Sequence, residues 1–157
     1  MTISWKIVMI VRLTSVICFA LMSVPFLACP GLADEVVRDA QGRVIERREA
    51  GTGGRIIRRD PSGVRIGTIE QETGGATIFR DKQGRRQGSA ETTITGRTIF
   101  RDKTGRREGT AEPGTGGKTI FRGTDGTKRY TIEPGVGNRD IIRGTDGRRL
   151  GTIEQKK

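Results

Sequence analysis

Short runs of β-favouring residues, each closed by an arginine, recur along the chain from residue 34 onward. They read Val36-Val37-Arg38, Ile56-Ile57-Arg58-Arg59, Thr77-Ile78-Phe79-Arg80, Thr98-Ile99-Phe100-Arg101, Thr119-Ile120-Phe121-Arg122 and Ile141-Ile142-Arg143. The spacing is a constant 21 residues, and a fixed period of this size is the signature of a repeat architecture. Six copies follow from it: 34–54, 55–75, 76–96, 97–117, 118–138 and a shorter 139–157. The third position is Ile or Val in every copy. The fifth is always Arg (Arg38, Arg59, Arg80, Arg101, Arg122, Arg143), the ninth always Gly and the sixteenth always Glu.

One unit can be read as backbone. Thr98-Ile99-Phe100-Arg101 is a short strand of β-branched and aromatic residues. Asp102-Lys103-Thr104-Gly105 has the chemistry of a type I turn, with Gly in the left-handed position closing a G1 bulge. Residues 106–112 return as a second strand, and Pro113-Gly114-Thr115-Gly116-Gly117 ends it. Each unit is thus a predicted β-hairpin. A three-residue loop would set Ile99 opposite Gly109 and Phe100 opposite Glu108. Ile99, Arg101, Arg107, Gly109 and Ala111 would then share one face; Thr98, Phe100, Asp102, Arg106, Glu108, Thr110 and Glu112 would share the other. Neither face is wholly apolar. The expected fold is therefore all-β, an elongated single-sheet or solenoid-like array in which each hairpin buries a narrow stripe on its neighbours. Twelve strands about 4.8 Å apart would give a ribbon about 55 Å long. The first copy carries Glu46-Arg47-Arg48 and the last ends in Gln155-Lys156-Lys157. Charged end units of this kind would block edge-to-edge growth.

Residues 1–33 stand apart from the repeats. Lys6 and Arg12 precede an apolar run over 13–27, and Gly31-Leu32-Ala33 ends the segment in small residues. These are the parts of a signal peptide with an apolar helix, cut before Asp34, where the first repeat begins. The expected location is secreted or periplasmic. An uncleaved anchor is one alternative, although the run is short and Pro25 interrupts it. A lipid anchor at Cys29 is another, because Phe26-Leu27-Ala28-Cys29 resembles the bacterial lipobox. Membrane contact would come only through the leader or a lipidated Cys29. Cys18 and Cys29 are the two cysteines, so the repeat region has no disulfide and no thiol chemistry.

Charge changes the picture more than hydrophobicity does. Removing Lys6 and Arg12 from the 29 basic residues leaves 27 against 18 acidic ones, a net charge of +9 on 34–157. Such a balance favours polyanionic partners. Leu, Ile, Val and Phe make up only 22 of the 124 residues in 34–157, below the level of about 20 % at which high charge signals disorder. Their strict periodicity, and turn residues placed where turns need them, argue for a folded array instead.

Asp102-Lys103-Thr104-Gly105-Arg106 and Asp81-Lys82-Gln83-Gly84-Arg85 resemble the Asp-x-x-Gly-Arg core of YD (Rhs-type) repeats. The stretch from Phe100 to Gly109 resembles the hairpin core of MORN repeats. Arg101 and Arg80 stand where YD units carry Tyr, and the Tyr-x-Gly opening of MORN units is missing. The resemblance spans the repeat region on four or five residues per unit. It implies a β-hairpin array with no catalytic residues in the repeat.

Residues 34–157 contain no His, Cys or Trp and one Tyr, Tyr130. That composition excludes Ser–His and Cys–His nucleophiles and zinc sites of the usual His and Cys type. The remaining carboxylates recur in every copy, as structural residues do. The chain is therefore expected to be non-enzymatic, with no catalytic, metal or cofactor site. Gly114-Thr115-Gly116-Gly117-Lys118-Thr119 imitates the end of a phosphate-binding loop, but Glu112 occupies the required Gly position and a strand follows in place of a helix. It reads as an inter-repeat connection.

The arginines carry the functional expectation. Arg59, Arg80, Arg101, Arg122 and Arg143 should align across the sheet, with Arg86 and Arg107 beside them. A guanidinium row of this kind suits an acidic polysaccharide, lipopolysaccharide or teichoic acid. Nucleic acid is disfavoured by export and by the scarcity of aromatic residues to stack on bases. The competing reading is a solvated face whose arginines pair with the Asp and Glu of adjacent repeats. The expected function is an exported binding or structural module at the cell surface or in the periplasm, with a basic face for anionic polymers. The alternative is a self-assembling matrix or appendage component, opposed by the charged strands and Gly-rich connections. The oligomeric state is left open.

Overall fold

The computed structural model describes residues 34–156. The leader, with its predicted helix, its cleavage site and Cys29, lies outside the described residues. Among the described residues twelve strands form, two per repeat: β1 (Glu35–Asp39), β2 (Val44–Ala50), β3 (Ile56–Arg59), β4 (Arg65–Gln71), β5 (Thr77–Asp81), β6 (Arg86–Thr92), β7 (Thr98–Asp102), β8 (Arg107–Pro113), β9 (Thr119–Gly123), β10 (Lys128–Pro134), β11 (Arg139–Gly144) and β12 (Arg149–Gln155). The all-β class and the hairpin in each repeat agree with the sequence pattern. The elongated sheet does not. Every strand pairs antiparallel with its sequence neighbours, and β1 pairs with β12, Val36 opposite Glu154 and Val37 opposite Ile153, so the array is a closed barrel.

The turns take the expected form. In the fourth repeat Gly105 N donates to Asp102 O at 3.0 Å and Asp102 N donates to Arg106 O at 2.9 Å, with Gly105 at φ +85°. The Asp102 carboxylate accepts from the backbone N–H of Thr104 and Arg106, which fixes the turn.

The register departs from the sequence expectation by one residue. Phe100 faces Gly109 and Ile99 faces Thr110, while Arg101 still faces Arg107. One extra residue, Glu108, is accommodated between those pairs, and the same irregularity recurs in all six hairpins. A one-residue slip exchanges the faces of every residue beyond it. Thr98, Phe100, Gly109 and Ala111 therefore share the inner face; Ile99, Arg101, Arg107, Thr110 and Glu112 share the outer one. The bulge thus turns two mixed faces into an apolar face and a polar face. It also adds local twist, which a sheet needs in order to curl.

Inside the barrel the residues form cross-strand rows. Thr98, Ala111 and Phe121 make one; Thr119, Ile132 and Ile142 make the next. Each row slips two residues per repeat, which over six repeats gives a shear number of about 12 for twelve strands. Equal strand and shear numbers correspond to a strand tilt of about 36°. The core is one cluster around Val37, Phe100, Phe121, Tyr130, Ile132, Ile142 and Ile153. Phe121 stacks on Tyr130, their ring centroids 4.3 Å apart.

The first repeat does not act as a charged end cap. Glu46 and Arg48 point inward, and Glu35, Arg48 and Arg58 occupy the row where the next repeat has Ile56, Ile69 and Phe79. Because β1 and β12 pair with each other, there is no sheet edge for them to protect.

Candidate functional site

The outer face carries the arginine row that the sequence singled out. Five of the six fifth-position arginines are held twice. In each, Nη1 donates to the carbonyl of the turn glycine in its own hairpin, Arg80 to Gly84 at 3.1 Å and Arg143 to Gly147 at 3.0 Å, for example. The Nε meets the sixteenth-position glutamate of the preceding repeat: Arg59 with Glu49 at 2.7 Å, Arg80 with Glu70 at 2.9 Å, Arg122 with Glu112 at 3.3 Å and Arg143 with Glu133 at 3.0 Å. Arg38 makes the same pair with Glu154 at 3.0 Å, across the closing seam. Arg101 is the exception. It reaches the Gly105 carbonyl but makes no ion pair among the described residues.

The four glutamates Glu70, Glu112, Glu133 and Glu154 also meet the first-position cation of their own repeat: Arg55, Arg97, Lys118 and Arg139. The hydrogen bond from Arg80 is the first cause holding the Glu70 carboxyl below its ordinary value; for Glu133 it is the bond from Lys118. The tenth-position cations Arg43, Arg85 and Arg148 pair with Asp39, Asp81 and Asp146 of their own turns. Fixed-position Arg and Glu, present together in all six copies, are the sequence signal for this pairing.

The eleventh position differs. Arg65, Arg86, Arg107, Lys128 and Arg149 are exposed and make no ion pair among the described residues. Each stands directly opposite a fifth-position arginine: Arg59 with Arg65, Arg80 with Arg86, Arg101 with Arg107, Arg122 with Lys128 and Arg143 with Arg149. Like charges directly opposite one another repel. The glutamates neutralise the fifth-position partner in four of these five pairs and leave the eleventh position uncompensated. The result is an arc of cations without carboxylate partners near the Asp-to-Gly turns, spaced two strands or about 10 Å apart; Arg149 in it donates from Nη2 to the Ala40 carbonyl at 3.0 Å. It is densest at the fourth repeat, where Arg101 and Arg107 both lack a carboxylate.

Of the seven arginines expected to bind a polyanion, Arg59, Arg80, Arg122 and Arg143 are thus engaged within the fold, whereas Arg86, Arg101 and Arg107 are free of ion pairs. The sequence reading also adds Lys128 and Arg149 to this basic row, and it misses Arg65.

The engaged pairs are about a third exposed on the arginine side, and ion pairs of that kind contribute about 0–1 kcal/mol. Replacing Arg80 with Gln is accordingly expected to lower the urea-unfolding free energy by less than about 1 kcal/mol. A loss several times larger would mean that the ladder, and not the core, holds the barrel.

No protein-family model matches the chain. No curated protein matches it either. Among solved structures the chain is similar to BamB from Moraxella catarrhalis, at 14% identity over 86% of this chain and 62% of that one, with a TM-score of 0.34. The chain spans less than two thirds of that protein's length, and a likeness this distant carries nothing about function.

Proposed function

We propose that the chain is an exported, non-enzymatic binding module that holds anionic polymers on the arc of free cations formed by Arg65, Arg86, Arg107, Lys128 and Arg149, with Arg101 at its centre. One observation carries this reading: two rows of cations face each other across five hairpins, and only one row has its counter-charges within the protein. A chain of sulfate, phosphate or carboxylate groups laid between the rows would relieve that repulsion and pair with guanidinium groups in bidentate fashion. Export rests on the leader, whose small-residue end meets the start of the first repeat. Secreted and periplasmic locations both fit, as does a lipid anchor at Cys29.

Two other uses of a barrel fit less well. Assembly by strand addition needs an open edge, and the described strands leave none. A membrane-spanning barrel needs strands of about 9–11 residues with an apolar outer band. Here the strands run from four to seven residues and carry Arg and Glu outward.

The test is calorimetric binding of dextran sulfate over a range of salt. Affinity is expected to fall steeply with salt, each ionic contact adding about 0.7–0.9 to the log–log slope if the polymer behaves as nucleic acids do. Replacing Arg86, Arg107 and Lys128 together with Gln should weaken binding more than tenfold. Replacing Arg80, Arg122 and Arg143 together should weaken it less. Affinity indifferent to salt, or equal losses in the two triple variants, would sink the proposal.

A further inference from the structure

Strands of odd number run toward the Asp-to-Gly turns, so the turns gather at one rim of the barrel and the inter-repeat loops at the other. The Arg–Glu ladder follows the turn rim and has one break, between the third and fourth repeats. The step before the break is intact. There the Glu70 carboxylate accepts from the Thr68 hydroxyl at 3.2 Å through Oε1 and from Arg80 Nε at 2.9 Å through Oε2. Thr68 and Arg80 stand directly opposite one another on β4 and β5. A hydroxyl and a guanidinium thus share one carboxylate, whose charge strengthens both hydrogen bonds.

At the break the same two donors lack that carboxylate. Ser89 and Arg101 are directly opposed on β6 and β7, as Thr68 and Arg80 are on their strands. Arg101 Nη1 donates to the Gly105 carbonyl at 3.1 Å, as Arg80 does to Gly84, so its guanidinium is anchored as in an intact step. Its Nε makes no ion pair among the described residues, although five sister arginines use theirs for a glutamate. Ser89 is buried, and its Oγ has no hydrogen-bond partner among the described residues. A buried hydroxyl in that condition is costly. Glu91, the sixteenth-position acid, is exposed and makes no ion pair among the described residues. Arg55 holds Glu70 from the first position of its own repeat; Ala76 stands at that position in the repeat of Glu91.

The other acids near the break do not take the place of that carboxylate. Asp102 accepts from the backbone N–H of Thr104 and Arg106 in its own turn. Glu108 lies near Asp102, and burial and then the Asp102 charge raise its carboxyl above the ordinary value. Arg107 faces Arg101 across the hairpin and adds a second cation. Burial of the hydroxyl is compatible with a ligand there: Thr68 is 1% exposed, while the carboxylate that it meets is 24% exposed.

We propose that this break is a carboxylate subsite: Ser89 Oγ and Arg101 Nε together bind one carboxylate of the ligand, as Thr68 and Arg80 bind that of Glu70, with Arg107 beside them. The fold itself shows the chemistry that suits the place, because a carboxylate occupies it at the five intact steps. The inference rests on the reading of the turn rim as a polymer site and narrows the ligand to a chain that bears carboxylates, a polyuronate. One of its groups would be fixed at the fourth repeat, and its neighbours would lie along the remaining cations.

The test follows arginine Nε–H signals by NMR while the full chain is titrated with a short oligogalacturonate. The Arg101 signal should move and saturate. Those of Arg80 and Arg122, already held by Glu70 and Glu112, should move severalfold less. Ser89→Ala and Arg101→Lys should each weaken binding about tenfold, the loss expected for a hydrogen bond to a charged group. Ser89→Thr keeps the hydroxyl and should bind as the parent does, and so should Arg80→Lys. An Arg101 signal as protected from water as that of Arg80, and unmoved by the uronate, would mean that Glu91 closes the step and would overturn the proposal. Equal movement of all the arginine signals would also overturn it, while leaving polymer binding on the rim intact. Failure of the uronate and dextran sulfate alike would overturn both readings.

Discussion

Replacing Glu46 with Ala is expected to destabilise the barrel by about 3–5 kcal/mol, read as a fall in the urea midpoint with little change in slope. Glu46 is 1% exposed, and its carboxylate accepts from Arg48 Nε at 2.9 Å and from Arg58 Nη2 at 2.6 Å. Arg48 is itself 2% exposed and also donates to Glu35 at 3.0 Å. Removing the acid leaves Arg58 without its carboxylate and Arg48 with Glu35 as its remaining acid, and an uncompensated buried charge costs far more than the pair contributes net. Replacing Glu35, Glu46, Arg48 and Arg58 together with apolar residues should accordingly be close to neutral, because no member of the cluster is then left buried without the others. That contrast separates a charge effect from a packing effect. If the single and the quadruple variants lose stability equally, the ionic account fails.

The same cluster sets the acid limit. Burial pushes the Glu46 carboxyl up, but the charges and hydrogen bonds of Arg48 and Arg58 outweigh it and bring the pKa to about 2, from 4.5. A folded-state pKa below the unfolded one gives stability that is complete above about 4.5 and lost as pH falls toward 2, roughly 3 kcal/mol in all. Asp140 works in the opposite sense. Burial, and then the Glu35 charge, raise its pKa, so its protonation returns part of that loss.

The second large effect concerns a glycine. Gly109→Ala is expected to cost about 2–3 kcal/mol and lower Tm by on the order of 10 °C. A Cβ at Gly109 would collide with the backbone carbonyl of Arg122 in the adjoining strand; the equivalent atom at Gly88 would come within 2.5 Å of the Arg101 carbonyl. Backbone in a closed barrel cannot step aside as a side-chain tip can. Gly105→Ala supplies the comparison. There a Cβ would meet nothing within 4 Å, and only the positive φ of +85° opposes it, a cost of about 1–2 kcal/mol. Thermal melts of the two variants should rank Gly109→Ala as the worse.

Much of this fold is legible in the sequence, and the part that is not has a definite cause. Period, turn and strand propensity predict a hairpin in each repeat, because these are local properties of Asp102, Gly105 and the Thr98–Phe100 run. The bulge at Glu108 is not legible. Its residue type varies from copy to copy (Ile45, Ile66, Gln87, Glu108, Arg129, Leu150), so no side chain announces it. Missing it by one residue puts Gly109 and Ala111 on the wrong face and makes an apolar interior look mixed. Closure is hidden for a related reason. It depends on a small slip summed over six repeats, and on β1 meeting a strand more than a hundred residues away. The charged first repeat misleads as well: Glu46 and Arg48 look like an end cap but form an interior ion cluster. On the outer face the pairing of Arg with Glu can be read from two positions constant in all copies. The free eleventh position stands out only when the register is known.

Closure is the claim on which the rest depends, since it sets the interior, the pairing of Arg38 with Glu154 and the two rims. It is tested most directly by a disulfide between β1 and β12. With Cys18 and Cys29 replaced by Ala, Val36→Cys and Glu154→Cys are introduced together at directly opposed positions. Cα atoms so placed lie within disulfide range, about 4.4–6.8 Å. In an open sheet of twelve strands the same residues would be about 53 Å apart. Mild oxidation of dilute protein should give an intramolecular disulfide in nearly every molecule, seen as a faster, reducible band of monomer mass. Free thiols that persist, or disulfides found only between chains, would contradict the closed barrel.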